Sequence, residues 1–195
     1  MTLANRITLT RAAITAACLV MLHFAAAQET DGLLLDFCTA GVLVAAFLDV
    51  LDGYMARRHG EVTRAGRVLD PLVDKILICG CFIFFTRFRS LDGIAEPWVA
   101  AVLVVREFAV HAIRLDVESA GVPFGASAWG KLKTLLQTTA AVACLLYASH
   151  LSASEWSKDA RPAVLVLVLL AVASTVGSGI IYVVSAVKSL RGGDG

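Results

Sequence analysis

Charge is scarce in this 195-residue chain. Asp, Glu, Lys and Arg make up 17% of it and hydrophobic residues 58%, and mean hydropathy is +0.77. That shortage excludes an ordinary soluble domain, in which about a quarter of residues are charged. Neither sign dominates, since the formal net charge is +1, and a nucleic-acid partner is not expected. Cysteine is no framework either. Cys18, Cys38, Cys79, Cys81 and Cys144 are odd in number, lack metal-ligand spacing and lie in or beside apolar runs, so they read as small buried thiols. The chain has no apparent internal repeat or low-complexity segment, and no Ser, Cys or His stands out as an activated nucleophile.

What it does have is long apolar runs. A helix crosses the hydrocarbon core with roughly 20 apolar residues, and six stretches qualify or nearly do: 7–27, 34–56, 71–88, 94–116, 132–150 and 162–187. Backbone groups in lipid must be satisfied internally, and continuous runs favour helices over the alternation of a barrel. The expected fold is an all-α integral membrane protein, six transmembrane helices in a single bundle. Small residues in "AAITAA", "TAGVLVAA", "QTTAAVAC" and "ASTVGSG" suit close helix packing. Helices are expected to begin at Pro97 and Pro162. The first run is as long as a span and more spans follow, which favours a retained helix over a cleaved signal. Arg6, Arg11, Arg57, Arg58, Arg64, Arg67, Arg114, Lys131, Lys133, Lys188 and Arg191 fall on one side and only Arg87, Arg89, Lys158 and Arg161 on the other. Both termini are therefore expected to be cytoplasmic.

Against this background "DVLDGYMARRHGEVTRAGRVLDPLVDK", 49–75, carries four aspartates and four arginines. Ionisable groups at membrane depth are costly and point to function when they face the bundle interior. Asp49 and Asp52 are three apart, about 60° around a helix, and share a face. Gly53 and Ala56 lie near it and leave room for a ligand. Asp70 and Asp74 are four apart and share a face of the next helix, with Pro71 tolerated if it occupies the first turn. A short link would bring the four carboxylates together at the membrane boundary. Four anions in one place call for a hard divalent cation or a pair, with Mg²⁺ the characteristic partner of carboxylates and phosphates and Zn²⁺ less suited. Capping or interfacial pairing with the arginines explains any one aspartate taken alone, but is the weaker account of all four at paired helical spacing.

Asp49, Asp52, Gly53, Ala56, Arg57, Gly66, Asp70 and Asp74 match D-x2-D-G-x2-A-R-x8-G-x3-D-x3-D, the signature of the CDP-alcohol phosphotransferases, at every offset. Chance agreement at eight positions is on the order of 10⁻⁸. The resemblance implies a single membrane domain of that family over 1–195, usually a homodimer, that transfers the phosphoryl-containing group of a CDP-linked lipid to a hydroxyl and releases CMP. It further implies two divalent cations, Mg²⁺ or Mn²⁺, on Asp49, Asp52, Asp70 and Asp74, with Asp74 also the general base. Gly53, Arg57 and Gly66 would hold CDP, joined by Thr63. A two-metal clamp suits in-line displacement at phosphorus, and an arginine offsets charge on the leaving diphosphate.

The acceptor must be read elsewhere. Arg106 and Arg114, eight apart, lie about 80° apart around a helix, and Lys131 and Lys133 open the fifth run. They resemble the R-E-x6-R and W-x-G-K-x-K-T-x2-Q patterns of bacterial family members that use glycerol 3-phosphate, with Trp129 set directly before Gly130. "LANRITLTR" resembles their N-x2-T-x2-R opening, with Ala4 where a proline is usual, and its Asn5 and Thr8 would complete the CDP site. The resemblance thus implies transfer of a phosphatidyl group from CDP-diacylglycerol to glycerol 3-phosphate, with Arg106, Arg114, Lys131 and Lys133 on the acceptor phosphate. Blander readings are snorkelling for the lysines and pairing with Glu107 for Arg106. Cardiolipin synthase and inositol-phosphate transferases share the donor motif. From another class, a non-catalytic divalent-cation-binding membrane protein would explain the aspartates but not Gly53, Ala56, Arg57 and Gly66.

Overall fold

A computed structural model describes residues 3–28, 32–59, 64–119 and 128–191, and within them every long element is a helix. In chain order these are α1 (Leu3–Gln28), α2 (Gly32–His59), α3 (Arg64–Phe85), α4 (Pro97–Ser119), α5 (Ala128–Leu146) and α6 (Ser157–Arg191). A 3₁₀ turn, Arg89–Leu91, joins α3 to α4, and α5 runs on into a π turn, Tyr147–Leu151. At 1.5 Å per residue, α1 is about 39 Å long, enough to cross a core of about 30 Å.

Two boundaries differ from the sequence reading in ways that matter. α3 starts at Arg64, seven residues before the expected 71, so Pro71 is its eighth residue and lies outside the first turn. There it removes one backbone hydrogen bond inside a helix already committed on both sides. Asp70 is correspondingly interior to the helix, not at its start. α6 likewise begins at Ser157, with Pro162 inside it; the Ala160 N–H already donates to the Trp156 carbonyl at 2.9 Å. The expectation at Pro97 holds, since that residue opens α4.

α1 packs on both α2 and α3, α5 lies between α2 and α6, and α4 rests on α6 and α3. Lipid is as apolar as leucine, so helices associate in it through close packing more than through burial of grease. The seam of α1 with α2 illustrates this. Cys18, Leu22 and Ala25 face Cys38, Val42 and Ala45, all 2% exposed or less, the Cys38 thiol reaches the Cys18 carbonyl at 3.5 Å, and a Cβ added at Gly41 would overlap Cys18 Sγ. All five cysteines are free and buried. The outer surface stays apolar, with Leu33, Phe37, Phe47, Val105, Leu135 and Ile180 exposed. Apolar inside and outside is how a bundle surrounded by lipid differs from one surrounded by water.

The start of α2, the turn after α3, the π turn after α5 and the start of α6 meet at one end of the bundle. Ser149 Oγ donates to the Gly32 carbonyl at 3.1 Å and to Asp36 Oδ1 at 2.7 Å, and His150 Nε2 lies 2.8 Å from the same carboxylate oxygen. Arg161 donates to the Asp92 carbonyl, and the Tyr147 and Ser157 hydroxyls are 3.0 Å apart. This is the tied end. The starts of α1, α3 and α5 and the ends of α2, α4 and α6 lie at the other, open end.

Candidate active site

Each helix buries a stripe at alternating three- and four-residue spacing, and each stripe changes character along its length. On α1 it runs Ala25, Leu22, Cys18 and then Thr15 and Arg11 toward the open end. On α5, Cys144 and Ala140 give way to Gln137 and Lys133; on α6, Val164, Val168 and Ala171 give way to Thr175 and Ser178; on α4, Val99 and Leu103 give way to Glu107. The core is apolar near the tied end and polar toward the open one. On α2 the stripe Leu35, Cys38, Val42, Ala45 continues in register to 49 and 52, and on α3 the register of Cys81 and Leu77 continues back to 74 and 70. The signature positions thus continue the core stripes of two helices into the polar half.

Asp49 is the signature carboxylate whose side chain is among those described. Its Oδ1 sits 3.2 Å from Arg11 Nη1; Arg11 is 1% exposed at its side chain, Asp49 47%. The arginine is therefore sealed between helices while the carboxylate faces an opening. One oxygen of Asp49 is oriented by the guanidinium, and an exposed carboxylate fits the oxygen-only donor set of a hard cation. Asn5 and Thr8 are carried by α1, Asp52, Gly53 and Arg57 by α2, and Gly66, Asp70 and Asp74 by α3. The side chains of those eight residues, and Thr63 altogether, lie outside the described residues.

A second polar group joins α4, α5 and α6. Glu107 Oε1 accepts from Lys133 Nζ at 2.5 Å, from Arg106 Nη1 at 3.1 Å and from Gln137 Nε2 at 3.4 Å. Gln137 also donates to Thr175 Oγ1 at 3.0 Å. Arg106 reaches α6 twice, through Nε to the Thr175 carbonyl at 3.2 Å and Nη2 to Ser178 Oγ at 2.9 Å. Its stem lies against Gly179, where an added Cβ would come within 3.2 Å of Arg106 Cγ, so the absent side chain is what admits the arginine. Glu107, Lys133, Gln137, Thr175 and Ser178 are all buried.

The four expected acceptor cations therefore have unlike surroundings. Arg106 and Lys133 share one carboxylate. Lys131 is exposed, because two residues along a helix is about 200° around it. Lys133 is buried rather than snorkelling. Arg114 is half-buried, further along α4. Lys75, immediately after Asp74, is half-buried on α3, and α3 packs on both α4 and α5, which links the signature helix to this group. Spacing in the sequence did not single out Lys75, Gln137, Thr175 or Ser178. Thr175 and Ser178, three apart in "ASTVGSG", read as small packing residues; opposite an arginine in an apolar run they are its acceptors.

The fold and the half-polar core define a class, a helical membrane protein: among the described residues four helices are long and apolar enough to cross a bilayer, over Leu9–Ala27, Gly32–Asp49, Trp129–Leu151 and Ser157–Lys188. The model of the CDP-alcohol phosphatidyltransferase family matches residues 1–187, and the chain belongs to that family. It is 32% identical over 190 residues, 97% of this chain and 84% of the relative, to a probable phosphatidylglycerophosphate synthase of Mycobacterium tuberculosis. It is 38% identical over 105 residues to the CDP-diacylglycerol–glycerol-3-phosphate 3-phosphatidyltransferase of Bacillus subtilis, covering 54% of this chain and 52% of that one. The Escherichia coli K12 protein of the same name is 35% identical over 99 residues, 50% of this chain and 53% of that one. The matched stretch thus spans about half the length of the last two relatives.

Proposed function

We propose that this chain transfers the phosphatidyl group of CDP-diacylglycerol to the primary hydroxyl of glycerol 3-phosphate, giving phosphatidylglycerophosphate and CMP in phospholipid synthesis. The observation that carries this reading is a cation group packed against the signature helix: Arg106 of α4 and Lys133 of α5 meet at Glu107, and α3 packs on both of those helices. A donor site beside a second anion site is what a phosphorylated acceptor requires. The names of the relatives in Mycobacterium tuberculosis, Bacillus subtilis and Escherichia coli support the same acceptor.

In this reading Asp49, Asp52, Asp70 and Asp74 hold two divalent cations, Mg²⁺ or Mn²⁺. Those ions supply charge stabilisation to the attacking and leaving oxygens of an in-line displacement. Arg11 orients Asp49. Gly53, Arg57, Thr63 and Gly66, with Asn5 and Thr8, hold the CDP moiety, and Arg57 offsets negative charge on the departing CMP. Arg106, Lys133 and Arg114 bind the acceptor phosphate, while Lys131, about 200° around α5 from Lys133, is exposed away from that group. Asp74 takes the proton from the acceptor hydroxyl; its oxygen bonds to the phosphatidyl phosphorus as the bond to CMP breaks. The protein acts as one domain over 1–195, as a homodimer, in the bacterial cytoplasmic membrane with the open end of the bundle in the cytoplasm.

The test is CMP release by purified protein in detergent with CDP-diacylglycerol, Mg²⁺ or Mn²⁺ and a panel of acceptors. Release is expected with glycerol 3-phosphate. Silence with every acceptor refutes the enzyme reading, and a preference for inositol phosphate or phosphatidylglycerol reassigns the acceptor.

A further inference from the structure

We propose that Glu107 is a positioning residue for the acceptor site: its buried carboxylate holds Lys133 and Arg106 aimed, so that both are preset for the acceptor's phosphate. The inference rests on the glycerol 3-phosphate reading above and deepens it.

The geometry gives Glu107 the central place. Oε1 alone receives Lys133 from α5 at 2.5 Å, Arg106 from α4 at 3.1 Å and Gln137 from α5 at 3.4 Å, and the Glu107 side chain is 5% exposed. A buried cation is held in place by a paired counterion, and Lys133, 8% exposed at its side chain, has that carboxylate as its partner between the helices. The contacts do not exhaust the donors. An ammonium has three and a guanidinium five; among the described residues Lys133 spends one on Glu107, and Arg106 spends three on Glu107, Ser178 and the Thr175 carbonyl. Each cation is thus fixed in place and still retains hydrogens for a further acceptor.

Charge balance gives the same direction. Arg106 and Lys133, two cations, share this one carboxylate oxygen. One anion orients such a pair without neutralising it, and the remainder suits a phosphate. Gln137 serves as a strut, tying Glu107 to Thr175 of α6. Glu107 itself is not expected to touch the acceptor, since like charges repel.

The measurement is steady-state CMP release with glycerol 3-phosphate and CDP-diacylglycerol varied in turn, for the full-length wild type, Glu107→Gln, Glu107→Asp, Lys133→Met and the Glu107→Gln/Lys133→Met pair. Glu107→Gln is expected to raise KM for glycerol 3-phosphate roughly 30-fold, the scale of truncating one partner of a buried charge pair, with KM for CDP-diacylglycerol within about twofold. Glu107→Asp should recover part of the loss. Because Glu107 acts in part through Lys133, the double variant should lose less than the product of the two single effects. An unchanged or lowered KM for glycerol 3-phosphate in Glu107→Gln overturns the proposal, the lowered value marking Glu107 as a competitor of the phosphate. Equal losses for both substrates, or multiplicative losses in the pair, make the residue merely structural and also overturn it. If Glu107→Gln does not fold in detergent, Glu107→Asp and Lys133→Met carry the same comparison. A wild type that releases no CMP with glycerol 3-phosphate fails the acceptor reading instead, so the two failures are distinct.

Discussion

Arg11 and Asp49 divide one ion pair unequally, the guanidinium sealed and the carboxylate open. Such a pair contributes little net stability, since desolvating both groups offsets most of their attraction; its consequence here is orientation, a carboxylate whose second oxygen is left for a cation. The aspartate with the heaviest chemical demand is Asp74, proposed to serve both a metal and the proton. Asp74→Asn preserves shape and removes the basicity. CMP release is expected to fall about 100-fold or more, the contribution of a general base, while CDP-diacylglycerol still shifts the melting temperature of the purified variant. Retained turnover would remove Asp74 from the base role. The spacing of the four aspartates was legible in the sequence because a signature is local. The Arg11 contact was not, because it joins positions 38 residues apart and depends on how α1 meets α2.

Among the elements, α4 and α6 depend on each other most specifically. Arg106 lies in a furrow at Gly179 and donates twice to α6. Gly179→Leu fills that furrow, and overpacking of this kind costs about 1–3 kcal/mol. The melting temperature in detergent is expected to drop by several degrees, with a loss of glycerol 3-phosphate affinity as Arg106 is displaced; an unchanged melting temperature would show that α4 and α6 pack independently of this contact. The six helices were readable from apolar runs, yet their ends were not. α3 and α6 begin several residues before the apolar part because a polar helical turn beyond the bilayer has no periodic signal to mark it, and Pro71 and Pro162 look like starts although neighbouring turns carry them.

For the molecule as a whole, the paired connections at the tied end leave both ends of the chain's helical core, α1 at Leu3 and α6 at Arg191, at the opposite end. The side of the membrane each faces is testable with thiols, because all five native cysteines are buried and free. They should stay silent to an impermeant maleimide in the folded protein. Glu155→Cys, exposed at the tied end, is expected to label in intact spheroplasts, and Lys188→Cys, exposed near the end of α6, only after permeabilisation. The reverse pattern would invert the proposed topology and move the aspartates to the outside.

The sequence alone determined that this is a helical membrane protein and which short segment carries the chemistry, since hydropathy is a sum over neighbours and the signature is a set of fixed offsets. Tertiary structure decided what the scattered polar residues are for. Thr175 and Ser178 become acceptors, Glu107 a shared counterion and Lys133 a buried cation only when α4, α5 and α6 bring positions 106 to 178 within hydrogen-bond distance. The physical reason is range: a stripe of buried residues is a local periodicity, but the change of that stripe from apolar to polar has meaning only where six stripes meet.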